Sequence, residues 1–205
     1  MKNLLFSSIL IFICFSACSK KDEAKPDELD YYPTSKNSQW KYVWELTSNN
    51  EVNLENAKSQ ALGDTIVDGK QYAMIGDPSM LQPYFPLLVR KENGKYYQRG
   101  EIYGKYGAEE LFLQDNLPVG STWIIQDTPD IKTVNTIVSK DETRMIGGQE
   151  YKHTLEVKRE SFIYIPNKNE YILDYTDARI YAKGVGLVEW STDQRRIALK
   201  EYQIQ

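Results

Sequence analysis

Residues 39–46 read Gln-Trp-Lys-Tyr-Val-Trp-Glu-Leu, and their alternation decides the fold class. Trp40, Tyr42 and Trp44 fall on one side of an extended chain, with Lys41, Val43 and Glu45 on the other. Successive strand side chains point to opposite faces, so this is the period of a strand and not the 3.6 of a helix. The same rhythm continues downstream. Residues 65–67 run through Asp68-Gly69 into residues 71–75, residues 87–91 and 95–99 flank Asn93-Gly94, and residues 143–146 and 149–160 flank Gly147-Gly148. Such pairs tolerate the positive φ angles of tight hairpin turns. Further strands are expected at 122–126, 133–139, 162–166, 171–175, 179–182, 187–190 and 196–204. A clean helical stripe is missing throughout, with room for a short helix only at 52–62 or 107–116. The expectation is an all-β chain: an antiparallel meander of about a dozen short strands forming a barrel, half-barrel or strongly curved sheet, with a two-sheet sandwich as the alternative.

One internal echo stands out. Tyr32-Pro33 followed by Asn37-Ser38-Gln39-Trp40 is matched by Leu117-Pro118 followed by Gly120-Ser121-Thr122-Trp123. A duplicated half-barrel would produce it, and so would the frequency of turn-then-aromatic segments in β proteins.

Ahead of the strands lies a different kind of sequence. Met1-Lys2-Asn3 opens with a positive charge, residues 4–17 carry none, and small Ser16 and Ala17 precede Cys18. This is the layout of a secretory signal peptide. Its 14 uncharged residues fall short of the roughly 20 needed to span a bilayer. Phe15-Ser16-Ala17-Cys18 resembles a bacterial lipobox, which implies acylation of the Cys18 thiol and cleavage just before it. The organisation follows: residues 1–17 are the signal peptide, 18–30 the lipidated cysteine with a charged tether, and 31–205 one β domain. The tether, with eight charges among residues 19–30, is too polar to fold by itself. Ser19-Lys20-Lys21-Asp22-Glu23 also resembles the export signals of Bacteroidota surface lipoproteins. An outer-membrane, lipid-anchored location is therefore expected, with the cell surface favoured over the periplasmic face.

Composition removes several function classes. The chain has 25 basic and 29 acidic residues, net −4, which argues against nucleic acid as a partner. It equally argues against a polybasic grip on lipid, leaving the Cys18 lipid as the membrane contact. Both cysteines, Cys14 and Cys18, lie in or at the end of the signal. The domain therefore has no disulfide, no thiol nucleophile and no cysteine-based zinc site.

No catalytic residues, cofactor or metal are expected. His153, the lone histidine, alternates with Tyr151, Leu155 and Val157, which reads as a satisfied core residue in preference to a general base. Glu109-Glu110, Asp141-Glu142 and Asp174…Asp177 read as solvated turn acids, and the adjacent ones point to opposite faces of any strand. Neither a G-x-S-x-G nor an H-E-x-x-H pattern occurs. The unusual feature is aromatic content, with 15 Tyr, four Trp and six Phe. Tyr96, Tyr97, Tyr103 and Tyr106 cluster near turns and are the candidate surface for a glycan or protein partner. A curved sheet enclosing an apolar ligand is the alternative function, and a hydrolase is disfavoured.

Two motifs carry a resemblance over most of the domain. Pro33…Asn37-Ser38-Gln39-Trp40-Lys41-Tyr42 near its start and Tyr181-Ala182-Lys183-Gly184-Val185-Gly186-Leu187-Val188 near its end resemble the opening strand and closing turn of small Bacteroidota outer-membrane and surface lipoproteins. Thr34-Ser35-Lys36 departs from the usual Leu-Lys-Val-Gly-type opening. The resemblance implies an anchored β domain and carries no activity with it.

Overall fold

The computed structural model describes residues 30–48, 51–77, 86–102 and 105–205; Cys18 and the segment expected to be a tether, up to residue 29, lie outside them. The described residues form strands only. These are β1 (Gln39–Ser48), β2 (Glu51–Val67), β3 (Lys70–Gly76), β4 (Leu87–Glu92), β5 (Lys95–Arg99), β6 (Glu101–Ile102), β7 (Lys105–Tyr106), β8 (Glu110–Gln114), β9 (Thr122–Asp127), β10 (Ile131–Ile146), β11 (Gln149–Ile165), β12 (Glu170–Ala182), β13 (Gly186–Ser191) and β14 (Arg195–Gln203). The hairpin turns fall where the sequence puts them, with Asp68 at φ 51° before Gly69 at 74° and Asn93 at φ 52° before Gly94 at 74°. The two candidate helices are corrected: residues 52–62 lie in β2, and 107–116 contain β8.

Twelve strands make one antiparallel sheet in the order β8-β5-β4-β3-β2-β1-β14-β13-β12-β11-β10-β9, curled into a nearly closed barrel. It consists of two six-stranded meanders, β1 to β5 with β8, and β9 to β14. Trp40 and Trp123 sit one residue into the first strand of each, so the sequence echo marks equivalent places in the two halves. A ladder between β1 and β14 joins the halves on one side. On the other, side chains bridge the two sheet edges: Trp123 Nε1 donates to the Leu111 carbonyl (2.8 Å) and Asn135 Nδ2 to that of Phe112 (3.0 Å). Tyr96 pairs with Leu113 and Tyr97 with Leu111, leaving Phe112 as an extra residue, a bulge in the β8 edge. The Trp123 indole and the Asn135 amide occupy carbonyls that would otherwise invite another strand, and the bulge breaks the regular edge.

The interior is packed with side chains from nearly every strand, among them Trp40, Ile75, Val89, Tyr96, Leu113, Ile137, Leu155, Val188 and Leu199, all buried. Burying each large apolar side chain contributes about 1.5–3 kcal/mol, and in this chain packing has to act without cross-links. An aromatic group fills the axis: Tyr32 meets Phe112 edge-on at 5.6 Å, and Phe112 touches Tyr96 and Tyr181 at 6.3 and 6.4 Å between centroids.

Chain direction distinguishes two ends. At the entry end lie the turns at Asp68-Gly69, Asn93-Gly94 and Lys183-Gly184-Val185, closed by the incoming segment. There the Gly184 N–H donates to the Asp30 carbonyl (2.8 Å), and the Tyr31 N–H donates to the Tyr96 hydroxyl (3.2 Å). The Tyr96 hydroxyl in turn donates to Asp115 Oδ2 (2.8 Å), while Asp30 forms an ion pair with Lys91. The two quoted motifs also meet here. Trp40 Nε1 donates to the Val185 carbonyl (2.6 Å) and the Tyr42 hydroxyl to that of Leu187 (3.2 Å). Gly186 holds φ 108°, and a Cβ on it would stand 3.4 Å from Trp40 Nε1. The far end carries the β11–β12 and β13–β14 turns.

Candidate functional site

At the far end the strands differ in length, and that difference makes a site. β11 and β12 run together from Ile165 opposite Glu170 to Thr154 opposite Ala182. β13 covers only the second half of β12, from Ala178 opposite Ser191 to Ala182 opposite Gly186. The chain then turns at residues 192–194, where the Thr192 N–H donates to the Arg195 carbonyl (2.8 Å) and Thr192 Oγ1 accepts from the Arg195 N–H (3.0 Å). Residues 170–177 of β12 thus have a neighbour on one side only. On the open side, alternate residues direct their N–H and C=O groups away from any partner strand. Beyond β13 and β14, β1 pairs with β2 past the same turn as far as Ser48. The result is a notch two strands wide, about 14 Å from β12 to β1 at ordinary strand spacing.

The exposed strand is apolar. Tyr171, Ile172, Leu173 and Tyr175 are 42, 37, 53 and 39% exposed, whereas Ile66, Val119 and Met145 are exposed singly. Scattered apolar exposure is ordinary; four such residues among five on an unpaired edge are not. Register fixes their faces. Tyr175 opposes Ser161, Leu173 opposes Phe162, and Asp174 is the extra residue between them. The bulge turns Leu173 and Tyr171 to the outer face, where the Tyr171 ring stands 5.3 Å from Tyr164 and its hydroxyl donates to the Pro129 carbonyl (3.1 Å). A cleft of about 520 Å³ runs along the edge, lined by Leu173 to Ala178 and by Ser191, Thr192 and Asp193.

Inside the same end the lining is polar. Asn135, Arg159 and Asp177 stand in register across β10, β11 and β12. Asp177 is buried and accepts from Arg179 Nε (2.9 Å) and Nη2 (3.3 Å). Burial, and next to it the charge of Arg179, lowers the pKa of Arg159, with Asp177 and Glu110 acting in the opposite direction. Asn135 Oδ1 is buried without a hydrogen-bond donor.

The four tyrosines singled out in the sequence do not make one surface. Tyr96 points into the barrel, fully buried, which corrects its reading as a binding residue. Tyr97 lies on the outer face with the Arg90 guanidinium 4.0 Å above its ring. Tyr106 belongs to the small β6–β7 ribbon, and Tyr103 lies outside the described residues. Burial pushes the phenols of Tyr31, Tyr32, Tyr42 and Tyr96 far above their ordinary range, and that of Tyr151 up to about 12. These are neutral structural groups at physiological pH.

Two acid readings also change. Glu109 is no solvated turn acid: Arg90 grips it with Nε and Nη2, Lys70 lies 2.8 Å away and the Tyr72 hydroxyl donates to it at 2.5 Å. Arg90 above all, then Lys70 and Tyr72, hold its carboxyl far below the usual carboxylate range. Asp177, as noted, is buried in the barrel. His153 is not a core residue. It sits at a bulge with φ 51°, its side chain 43% exposed, and Nδ1 3.7 Å from Asp141 Oδ1. Among the described residues no three His, Cys, Asp or Glu side chains group as metal ligands. What sequence reasoning missed was the β12 edge. Its signal lay in strand lengths, since residues 187–190 are too short to cover a neighbour that begins at Tyr171.

No family model and no curated protein matches the chain. Among solved structures, it is similar to a protein of Bacteroides fragilis NCTC 9343 described as exported and as having a YmcC-like fold. The TM-score is 0.49 at 12% identity, covering 85% of this chain and 99% of that one.

Proposed function

We propose that this chain is a lipid-anchored protein of the outer membrane, held by Cys18, whose barrel binds a protein partner by accepting one of its strands along residues 170–177. The observation that carries the reading is the half-covered β12, with its open ladder and exposed Tyr171, Ile172, Leu173 and Tyr175 on one segment. Adding a strand to an open edge gains main-chain hydrogen bonds, while alternate side chains supply selectivity. A glycan surface drawn from Tyr96, Tyr97, Tyr103 and Tyr106 loses its first member to the core. The carrier reading has less support, because Tyr32, Tyr96, Phe112 and Tyr181 occupy the barrel axis.

Two experiments test the proposal. A photo-crosslinking amino acid at Leu173, in cells, is expected to trap protein; the same probe at Val119, an exposed apolar site at the entry end, is expected to trap none. Equal yields from both sites, or none from Leu173, would refute edge binding. For the anchor, fatty-acid labelling should be lost in Cys18→Ser, and undiminished labelling would refute it.

A further inference from the structure

We infer that the strand completing the β12 edge is basic: an extended partner segment alternating apolar residues with Lys or Arg, laid antiparallel to β12 with a cation between Asp174 and Asp193. The inference rests on the edge-binding reading above. Direction comes from β13, which pairs antiparallel to β12 and turns away after Ser191. A segment that takes over its line keeps that direction along residues 170–176.

Charge selects what the segment carries. Three carboxylates line the cleft, those of Asp174, Asp177 and Asp193, and no lysine or arginine does. Asp177 is engaged by Arg179. Asp174 and Asp193 have no hydrogen-bond or ion-pair partner among the described residues. The nearby Arg195 stands in register with Leu46 on β1 and not along the cleft. Asp174 comes from the bulge in β12 and Asp193 from the turn opposite, so the two unpaired carboxylates flank the vacated line of β13. Such acids also disfavour a second copy of this chain, since two β12 edges brought together would place the exposed Glu170 and Asp174 of each on one shared seam. On the outer face, exposed Tyr171 and Leu173 offer cover to apolar residues at every second position of the incoming strand.

The test uses the full chain in detergent and three fluorescent peptides: Val-Lys-Val-Lys-Val-Thr, its Glu-for-Lys counterpart, and the Lys peptide N-methylated at alternate amides. At low ionic strength the Lys peptide should bind about tenfold or more tightly than the Glu peptide. That preference should shrink to about twofold in the Asp174→Asn, Asp193→Asn double variant and in roughly 0.5 M salt. N-methylation should abolish binding. Both changed residues are polar and lie at the surface, and an unchanged circular dichroism spectrum confirms that the variant folds. Equal binding of Lys and Glu peptides, both lost on N-methylation, would overturn the charge inference and leave the edge reading standing. A preference that survives in the double variant would overturn the assignment of these carboxylates. No binding by either peptide, together with no crosslink from Leu173, would overturn the edge reading itself. Dimerisation of the chain that Ile172→Pro abolishes would identify a second copy as the occupant, against the proposal.

Discussion

Replacing Trp40 with phenylalanine tests how the entry end is held. The indole is 4% exposed and donates to the Val185 carbonyl at 2.6 Å. Phenylalanine keeps most of the apolar contact but removes the donor, leaving the carbonyl of the buried Val185 unpartnered at a cost of about 1–2 kcal/mol. The smaller ring leaves a void of roughly 40 Å³, which adds about 1 kcal/mol at ~24 cal/mol per Å³. The sum, about 2–3 kcal/mol, should lower the melting temperature of a domain this size by roughly 5–10 °C. Urea titration followed by far-ultraviolet circular dichroism measures it. Gly186→Ala supplies an independent handle, because it forces a Cβ to φ 108° and to 3.4 Å from Trp40 Nε1. In the double variant the steric part of that penalty disappears and the backbone part remains, so the two losses should fall short of additivity by about 0.5 kcal/mol or more. A loss below about 0.5 kcal/mol for Trp40→Phe, or strict additivity with Gly186→Ala, would refute the reasoning.

Three further outcomes are expected. Glu109→Gln should cost about 1–3 kcal/mol at neutral pH, because it strips two charge-assisted bonds from Arg90. The folded protein keeps this carboxyl ionised well below its ordinary value of 4.5, so the unfolded chain takes up the proton first. Wild-type stability therefore falls as pH drops below about 4.5, and Glu109→Gln should fall less steeply in acid melts; parallel curves would count against the cluster. Asp177→Ala leaves Arg179 without its buried counter-ion and should cost about 3–5 kcal/mol by denaturant titration, whereas a loss under 1 kcal/mol would place Asp177 in water. Gly94→Ala requires a Cβ at φ 74°, 2.7 Å from Asp115 Oδ1. It should destabilise by about 1–3 kcal/mol, and a neutral melting curve would contradict that turn geometry.

Period-two alternation identified an antiparallel meander because, in a barrel, every strand has one wet and one dry face. The paired turn residues at Asp68-Gly69, Asn93-Gly94 and Gly147-Gly148 set its hairpins directly, since positive φ is a local property. What alternation could not show is where strands continue through irregularities. Residues 133–139 and 143–146 are one strand, β10, bent at Asp141 with φ 58°. The bulge that admits this bend also throws His153 out of the apolar face to which strict alternation assigns it. Tyr96 and Tyr97 show the same limit, as adjacent tyrosines look alike in sequence yet one enters the core and the other lies under Arg90. The candidate edge was legible only as two strand lengths that do not match, and its acids became informative only when the register put them beside the gap.

The entry segment gives the molecule a mechanical polarity. Asp30 is fastened to the turn at Gly184, while the open part of β12 reaches Glu170, twelve residues down the same strand from Ala182 and roughly 40 Å away. If the chain is anchored through the residues before Asp30 and holds a strand at the far end, as proposed, a pull between the two would run along the strands and load the ladders to β11 and β13 in shear. All those hydrogen bonds would then resist together instead of parting one at a time, so a grip at the far end could bear tension without peeling the barrel open.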